Sequence, residues 1–336
     1  MTGPTRRAFG RWALGGGALA AMGACGVGAD AAGAAARDRT RPAWIGPRVI
    51  DSSATEFNDI EIERQGDLIS MIFKVGSCRF VESIYDASDP AVLPVEYTRY
   101  ITTALAYPPA PKRLLEIGLG GGRTISYLHR FMETLDITGV EIDPGVVAMA
   151  KKHFGVREDA RLRLIVADGR RAVNEAKTPF DVIMVDAYRG TWVPETLTTV
   201  EFFTEVKAKL APGGVVAQNV EPTTLFYDHM VATLGTVFAH VDAYTSGPST
   251  EVANTVLVAY DGPAKTDAEI MAAARRLQAV HKFRHPLPEL VRARRVEPRP
   301  FLVAPFRDGF EEANKALMID KANDKNTPRQ RKAMCQ

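Results

Sequence analysis

Cysteine is scarce in this chain. Cys25, Cys78 and Cys335 are the three in 336 residues, and no two share a CxxC spacing. A disulfide framework or a zinc site is therefore not expected. A charge excess is lacking too: 42 Lys and Arg against 40 Asp and Glu leave a net charge of +2. That balance gives no electrostatic case for a nucleic-acid partner. The short basic run "RARR" at 292–295 reads as a solvated face. His281 and His285 sit four apart with Pro286 next, and read as a surface pair at a helix end rather than a metal site. What is present, 46% hydrophobic and 24% charged residues, is the composition of a globular protein.

A long apolar run is also missing, and the N-terminus shows why that matters. Arg6 and Arg7 precede Phe9, then the mildly apolar "WALGGGALAAMGAC" follows, with no acid before Asp30. This stretch is too short and too rich in glycine to span a membrane. A positive start, a short apolar run and small residues read as an export signal over 1–25. The paired arginines resemble a twin-arginine signal, and "MGAC" resembles a lipobox that would make Cys25 a lipid anchor. The expected location is periplasmic or membrane-anchored, or cytoplasmic if translation starts further along. Residues 26–54, rich in Ala, Gly, Arg and Pro at their start, read as a flexible tether.

Beyond the tether the pattern turns regular. The runs "IEIERQ", "DLISMIFKVG" and "RFVESIY" predict a small antiparallel β domain over 55–95. Apolar residues at helical spacing follow over 96–107, and Pro108 and Pro109 stop them. Then "RLLEIGLG", "DITGVEID", "RLRLIVAD", "FDVIMVDA" and "GGVVAQNV" alternate with helical segments at 124–133, 145–154, 170–176 and 200–210. Nearly continuous apolar strands alternating with helices predict an α/β domain over 96–262. Its sheet would be mostly parallel, doubly wound and covered on both faces. "HVDAYTS" and "NTVLVAYDG" read as a closing antiparallel pair. Residues 263–336 read as a helical extension ending in a polar tail.

In an open α/β sheet, ligands bind beyond the carboxyl ends of the strands. Four of those ends carry telling residues. Gly118, Gly120, Gly121 and Gly122 follow the first strand, and glycines let a ligand approach the backbone at a helix N-terminus. Glu141 closes the second strand, about twenty residues on, where an acid can accept both hydroxyls of a ribose. Asp168 and Gly169 close the third, where a carboxylate could accept an adenine amino group. Asp186 closes the fourth, with Tyr188 and Arg189 after it. A strand-end Asp often only caps the next helix, and Asp143, before Pro144, reads as such a cap. The glycine loop has no following Lys-Ser/Thr, so it is not a P-loop. Together these residues predict a nucleoside pocket. A carboxylate three residues before an arginine leaves two compatible readings of Asp186, a catalytic group and one half of an ion pair with Arg189.

The stretches "LLEIGLGGGRT", "GVEIDPGVVAMAKKHF", "VADGRRAV" and "FDVIMVDAYRG…LTTVEFFTEVKAKLAPGGVV" resemble the polyamine aminopropyltransferases, the spermidine synthase family. The likeness runs over about residues 55–260 and includes "TEFNDI" at the entry to the first hairpin. It implies a Rossmann-like, S-adenosylmethionine-dependent transferase fold with a small N-terminal β domain, usually a homodimer. It also implies decarboxylated S-adenosylmethionine as co-substrate, methylthioadenosine as by-product, and a small-molecule amine as acceptor. By position, Glu141 would bind ribose and Asp168 adenine. Asn58 would stand where a family glutamine touches the nucleoside, and Asp186 would deprotonate the attacking amine. Because the donor's sulfonium carbon is already electrophilic, no metal is expected.

The sequence departs from the family at its cation-binding positions. Gly121 stands where the glycine loop normally carries an aspartate. Arg189 stands in place of the second strand-four aspartate, and Tyr97-Thr98-Arg99 replaces a Tyr-His-Glu. Arginine repels an ammonium, so the chain reads as a divergent member, with Tyr188 and Arg189 near the acceptor. Two alternatives share the nucleoside pocket: an S-adenosylmethionine-dependent methyltransferase, and a non-catalytic exported protein that binds nucleosides or polyamines.

Overall fold

The computed structural model describes residues 46–188, 193–220, 224–245, 254–297 and 303–309. Two sheets make up the described chain. The first is antiparallel, in the order β1 (Arg48–Ala54), β2 (Asp59–Gln65), β3 (Leu68–Val75), β4 (Cys78–Asp86). Alternation decides its inner face: Ile60, Ile62 and Met71 are fully buried, every second residue of each strand. They meet Val146, Met149 and Phe154 of the main domain in a core of their own. β1 corrects the reading of 26–54 as tether throughout, since Arg48–Ala54 pairs antiparallel with β2. Its burial is only partial, so no apolar periodicity announced it. Cys78 is disulfide-bonded, which the cysteine spacing did not anticipate; Cys25 and Cys335 lie outside the described residues.

After α1 (Tyr97–Tyr100), which tightens into a 3₁₀ turn over Ile101–Ala106, the alternation proceeds as the sequence predicts. It runs β5 (Arg113–Ile117), α2 (Arg123–Phe131), β6 (Asp136–Glu141), α3 (Pro144–His153), β7 (Leu162–Val166), α4 (Gly169–Glu175), β8 (Phe180–Val185), α5 (Val200–Ala208), β9 (Leu210–Val220) and α6 (Thr224–Val237). β10 (His240–Thr245) and β11 (Thr255–Tyr260) form the expected antiparallel pair. The strand order is β12-β10-β11-β9-β8-β5-β6-β7, where β12 is Arg294–Val296. Strands β9, β8, β5, β6 and β7 are parallel neighbours. The chain starts this sheet at β5 and builds outward in both directions, so the topological switch point lies between β5 and β8.

The inner parallel strands β5, β6 and β8 are buried on both faces, whereas the edge strand β7 leaves Arg163, Ile165 and Val166 exposed. On β5, Leu114 joins the core under α2, while Leu115 and Ile117 join the one under α5 and α6. The same alternation on β8 puts Met184 with Leu114, and Val185 with Ile117. Glu116 and Asp186 thereby fall on the sheet face that α1 covers.

Two C-terminal expectations change. The basic run at 292–295 is not simply a solvated face. It supplies β12, and Arg294 (side chain 5% exposed) donates to Asp242 (1%) at 2.7 Å. α7 (Asp267–His281) is helical as expected, but residues 303–309 are an extended strap. Phe306 is buried against the rings of Phe226 and His229. Its N–H donates to Thr233 Oγ1 at 2.8 Å, and its carbonyl accepts from Val200 N. Arg170 binds both Glu205 and Asp308, so the strap fixes the start of α5 against α4. His281 and His285 are partly buried rather than a surface pair: each ring pairs with backbone, at Phe131 O and Leu93 N respectively.

Candidate active site

A cavity of about 430 Å³ opens at the switch point, beyond the carboxyl ends of β5, β6, β7 and β8. The glycine loop forms its floor. Gly118, Gly120 and Gly122 have φ of 88°, 49° and 61°, a left-handed region that favours glycine. At Gly118 the constraint is doubled. A Cβ there would overlap the backbone oxygen of Asp186 and lie 2.7 Å from Ala187 Cα. Strand ends β5 and β8 approach this closely because no side chain separates them. Gly122 ends the loop as the N-cap of α2, with no side-chain cap, so the helix N-terminus is open towards the cavity.

Glu141 ties this loop to the end of β6. Its Oε2 accepts from Leu119 N at 2.9 Å and its Oε1 from Asp143 N at 3.1 Å. Burial pushes its carboxyl above the usual range, partly offset by those two bonds. Asp168 lines the cavity mouth and also caps α4, its Oδ1 accepting from Arg171 N at 2.8 Å. Asp143 is the cap that the sequence predicted, accepting from Gly145 N at 2.8 Å. Asn58 reaches the cavity wall, but its amide is committed elsewhere, donating to Asp143 Oδ2 at 2.8 Å. Gly169 lines the cavity as well, and its space is limited: a Cβ there would press on Ile117.

Asp186 stands where the glycine loop meets α1. Tyr97 Oη donates to its Oδ2 at 3.1 Å and Asn219 Nδ2 to its Oδ1 at 2.8 Å. Burial pushes its carboxyl up to about 6, against the pull of those two donors. It is thus a carboxylate at neutral pH, held by neutral partners and not by a cation among the described residues. Tyr188 lines the cavity and donates to Asn219 O at 3.0 Å. Arg189, the proposed ion-pair partner, lies outside the described residues. Arg99, the other arginine in a family carboxylate's place, does not line the cavity. Its guanidinium donates to Leu93 O and Pro94 O and so fixes the loop that brings Pro94 and Val95 to the wall.

Sequence reasoning missed five side chains of this cavity or its support: Tyr97, Asn219, Glu82, Glu116 and Arg123. Glu116 carried a readable signal, a charge inside an otherwise apolar strand; it is 2% exposed and lines the cavity. Asn219 sits near the end of β9, by the same rule that singled out the other strand ends. Glu82 arrives from the other sheet, and burial, with Asp186 and Glu141 nearby, pushes its carboxyl up to about 8. Arg123 is buried, donating to Phe154 O at 2.8 Å and Pro90 O at 2.7 Å, with its guanidinium over the Tyr85 ring. The N-terminal sheet and its entry loop thus form a wall, through Phe57, Asn58, Phe73, Glu82, Ser83 and Ile84.

Residues 95–250 match the Spermine/spermidine synthase domain. The chain is 31% identical over 199 residues to a polyamine aminopropyltransferase of Vibrio vulnificus, covering 56% of this chain and 65% of that protein. To one of Chromobacterium violaceum it is 32% identical over 162 residues, covering 48% and 61%. The matched stretches thus span less than two thirds of those relatives. Among solved structures, a probable spermidine synthase from Corynebacterium glutamicum superposes with a TM-score of 0.61. It is 21% identical and covers 79% of this chain and 98% of that one, a likeness of fold: the Rossmann-like sheet with its small N-terminal sheet.

Proposed function

We propose that this chain is a divergent aminopropyltransferase of the spermidine synthase-like family, a reading supported by the domain match over 95–250 and by its polyamine aminopropyltransferase relatives. The donor is of the decarboxylated S-adenosylmethionine type, the acceptor is an amine, and Asp186 takes the proton. The observation that carries this reading is Asp186 itself, an ionisable carboxyl in the cavity wall beside the glycine loop, oriented by Tyr97 and Asn219.

The chemistry asks little beyond alignment and a proton acceptor. An amine nitrogen attacks the carbon next to the sulfonium. The C–N bond forms as the C–S bond breaks, and the pair returns to sulfur, leaving methylthioadenosine. The proton on the new ammonium passes to Asp186. Glu141 holds the ribose and Asp168 faces the adenine, each using oxygen lone pairs left over from its backbone bonds. Asn58 closes that end by holding Asp143.

Methyl transfer would use the same nucleoside pocket. The six wall residues from the N-terminal sheet and its entry loop favour a larger transferred group and a second bound substrate. The test is product analysis by mass spectrometry with decarboxylated S-adenosylmethionine and putrescine. Methylthioadenosine and an alkylated amine are expected. S-adenosylhomocysteine from S-adenosylmethionine would mean a methyltransferase, and bound nucleoside with no product a binding protein. Export, read from Arg6, Arg7 and Cys25, is part of the proposal. Cell fractionation should find the full-length gene product outside the cytoplasm; uncleaved cytosolic protein would overturn that part.

A further inference from the structure

Two carboxyl groups in the cavity have no counterpart to hold. Glu116 is 2% exposed, and its Oε2 has no hydrogen-bond partner among the described residues; Glu82 Oε1 is likewise buried and unpartnered. Both side chains line the cavity. Among its described lining residues Arg123 alone is cationic; its Nη atoms donate to Phe154 O and Pro90 O, with the guanidinium over the Tyr85 ring, and its Nε has no hydrogen-bond partner among the described residues. A buried carboxyl left without a partner is costly unless something else supplies one.

The glycine loop shows why these acids sit where they do. A Cβ at Gly121 would lie 2.5 Å from Ser83 Oγ and 2.6 Å from Phe154 Cδ1. The space in front of position 121 is filled, so the loop cannot carry an acid there without moving Ser83. Glu82 is the chain neighbour of that serine and brings a carboxyl to the same end of the cavity. Glu116 lies on the sheet face shared by Asp186 and Asn219, and Asp186 is a charged neighbour of both acids.

We propose that Glu82 and Glu116 are the cation-binding carboxylates of this site. Each receives a primary ammonium on an alkyl chain, Glu82 that of the donor's tail and Glu116 that of the acceptor amine. This inference rests on the aminopropyltransferase reading and deepens it. The electrostatics agree: burial and then Asp186 push the Glu116 carboxyl well above its usual range, as burial, Asp186 and Glu141 do for Glu82. A bound ammonium supplies the missing counter-charge.

Calorimetry on the full chain tests it with three ligands: methylthioadenosine, which has no ammonium, decarboxylated S-adenosylmethionine, and putrescine added to the methylthioadenosine complex. Glu82→Gln should weaken the decarboxylated donor, and Glu116→Gln should weaken putrescine. Each loss should be about tenfold or more, from one charge-assisted bond. Both variants should keep methylthioadenosine affinity and melt no lower than wild type, since each removes a carboxyl that the free protein leaves unpaired. Variants that hold all three ligands as wild type does overturn the inference alone. So do variants that lose methylthioadenosine together with melting temperature, the mark of a structural role. Wild type that fails to bind methylthioadenosine overturns the nucleoside reading and this inference with it.

Discussion

Asp186 and Glu82 show how the same burial gives two carboxyl groups different work. Asp186 has two donors, from Tyr97 and Asn219, and its carboxyl rises only to about 6. It is ionised at neutral pH, as a proton acceptor must be. Glu82 Oε1 has no donor among the described residues, and burial drives its carboxyl to about 8. The folded protein therefore holds a proton on Glu82 that the unfolded chain, with an ordinary value of 4.5, has released. Stability must then fall as pH rises between 4.5 and about 8, at most on the order of 1.4 kcal/mol per pH unit from this group. Glu82→Gln should be nearly as stable as wild type at pH 5 and more stable at pH 8. Parallel melting curves at pH 5 and pH 8 would refute that assignment of the proton.

The strand ends were the part of the site that the sequence disclosed, for a physical reason. In a doubly wound sheet the residue after each apolar run lies at the carboxyl edge, so Gly118, Glu141, Asp168 and Asp186 could be placed together without knowing any distant contact. What closes the site from elsewhere could not be placed. Tyr97 lies 89 residues from Asp186, and Glu82 comes from a different sheet. Spacing along a strand says nothing of which helix or hairpin covers it. β1 was missed because its residues are only half-buried, and Arg294 because a basic run gives no sign that one member pairs with Asp242. The junction of β5 and β8 yields a test. Gly118→Ala, at φ 88° and against the backbone of Asp186 and Ala187, should cost on the order of 3 kcal/mol. It should also cut turnover by displacing Asp186. A thermal melt matching wild type would mean that the two strand ends are not so closely apposed.

The two sheets together wall the cavity, which is closed at the switch point by the glycine loop, the N-terminal sheet with its entry loop, and α1, while the strap at 303–309 holds α5 against α4 and does not line it. The fold, and the likeness to the spermidine synthase family, could be read from the motifs over 55–260. The identity of the cation-binding groups could not, because Gly121 and Arg189 signalled a loss without showing where other acids would come from. If this single cavity both binds the nucleoside and transfers its alkyl group, binding and transfer must separate when only the proton acceptor is altered. In full-length Asp186→Asn, methylthioadenosine should bind with affinity close to wild type, while putrescine-dependent release of methylthioadenosine from decarboxylated S-adenosylmethionine falls about 100- to 10,000-fold. Turnover equal to that of wild type in this variant would contradict the assignment of Asp186 and the mechanism built on it.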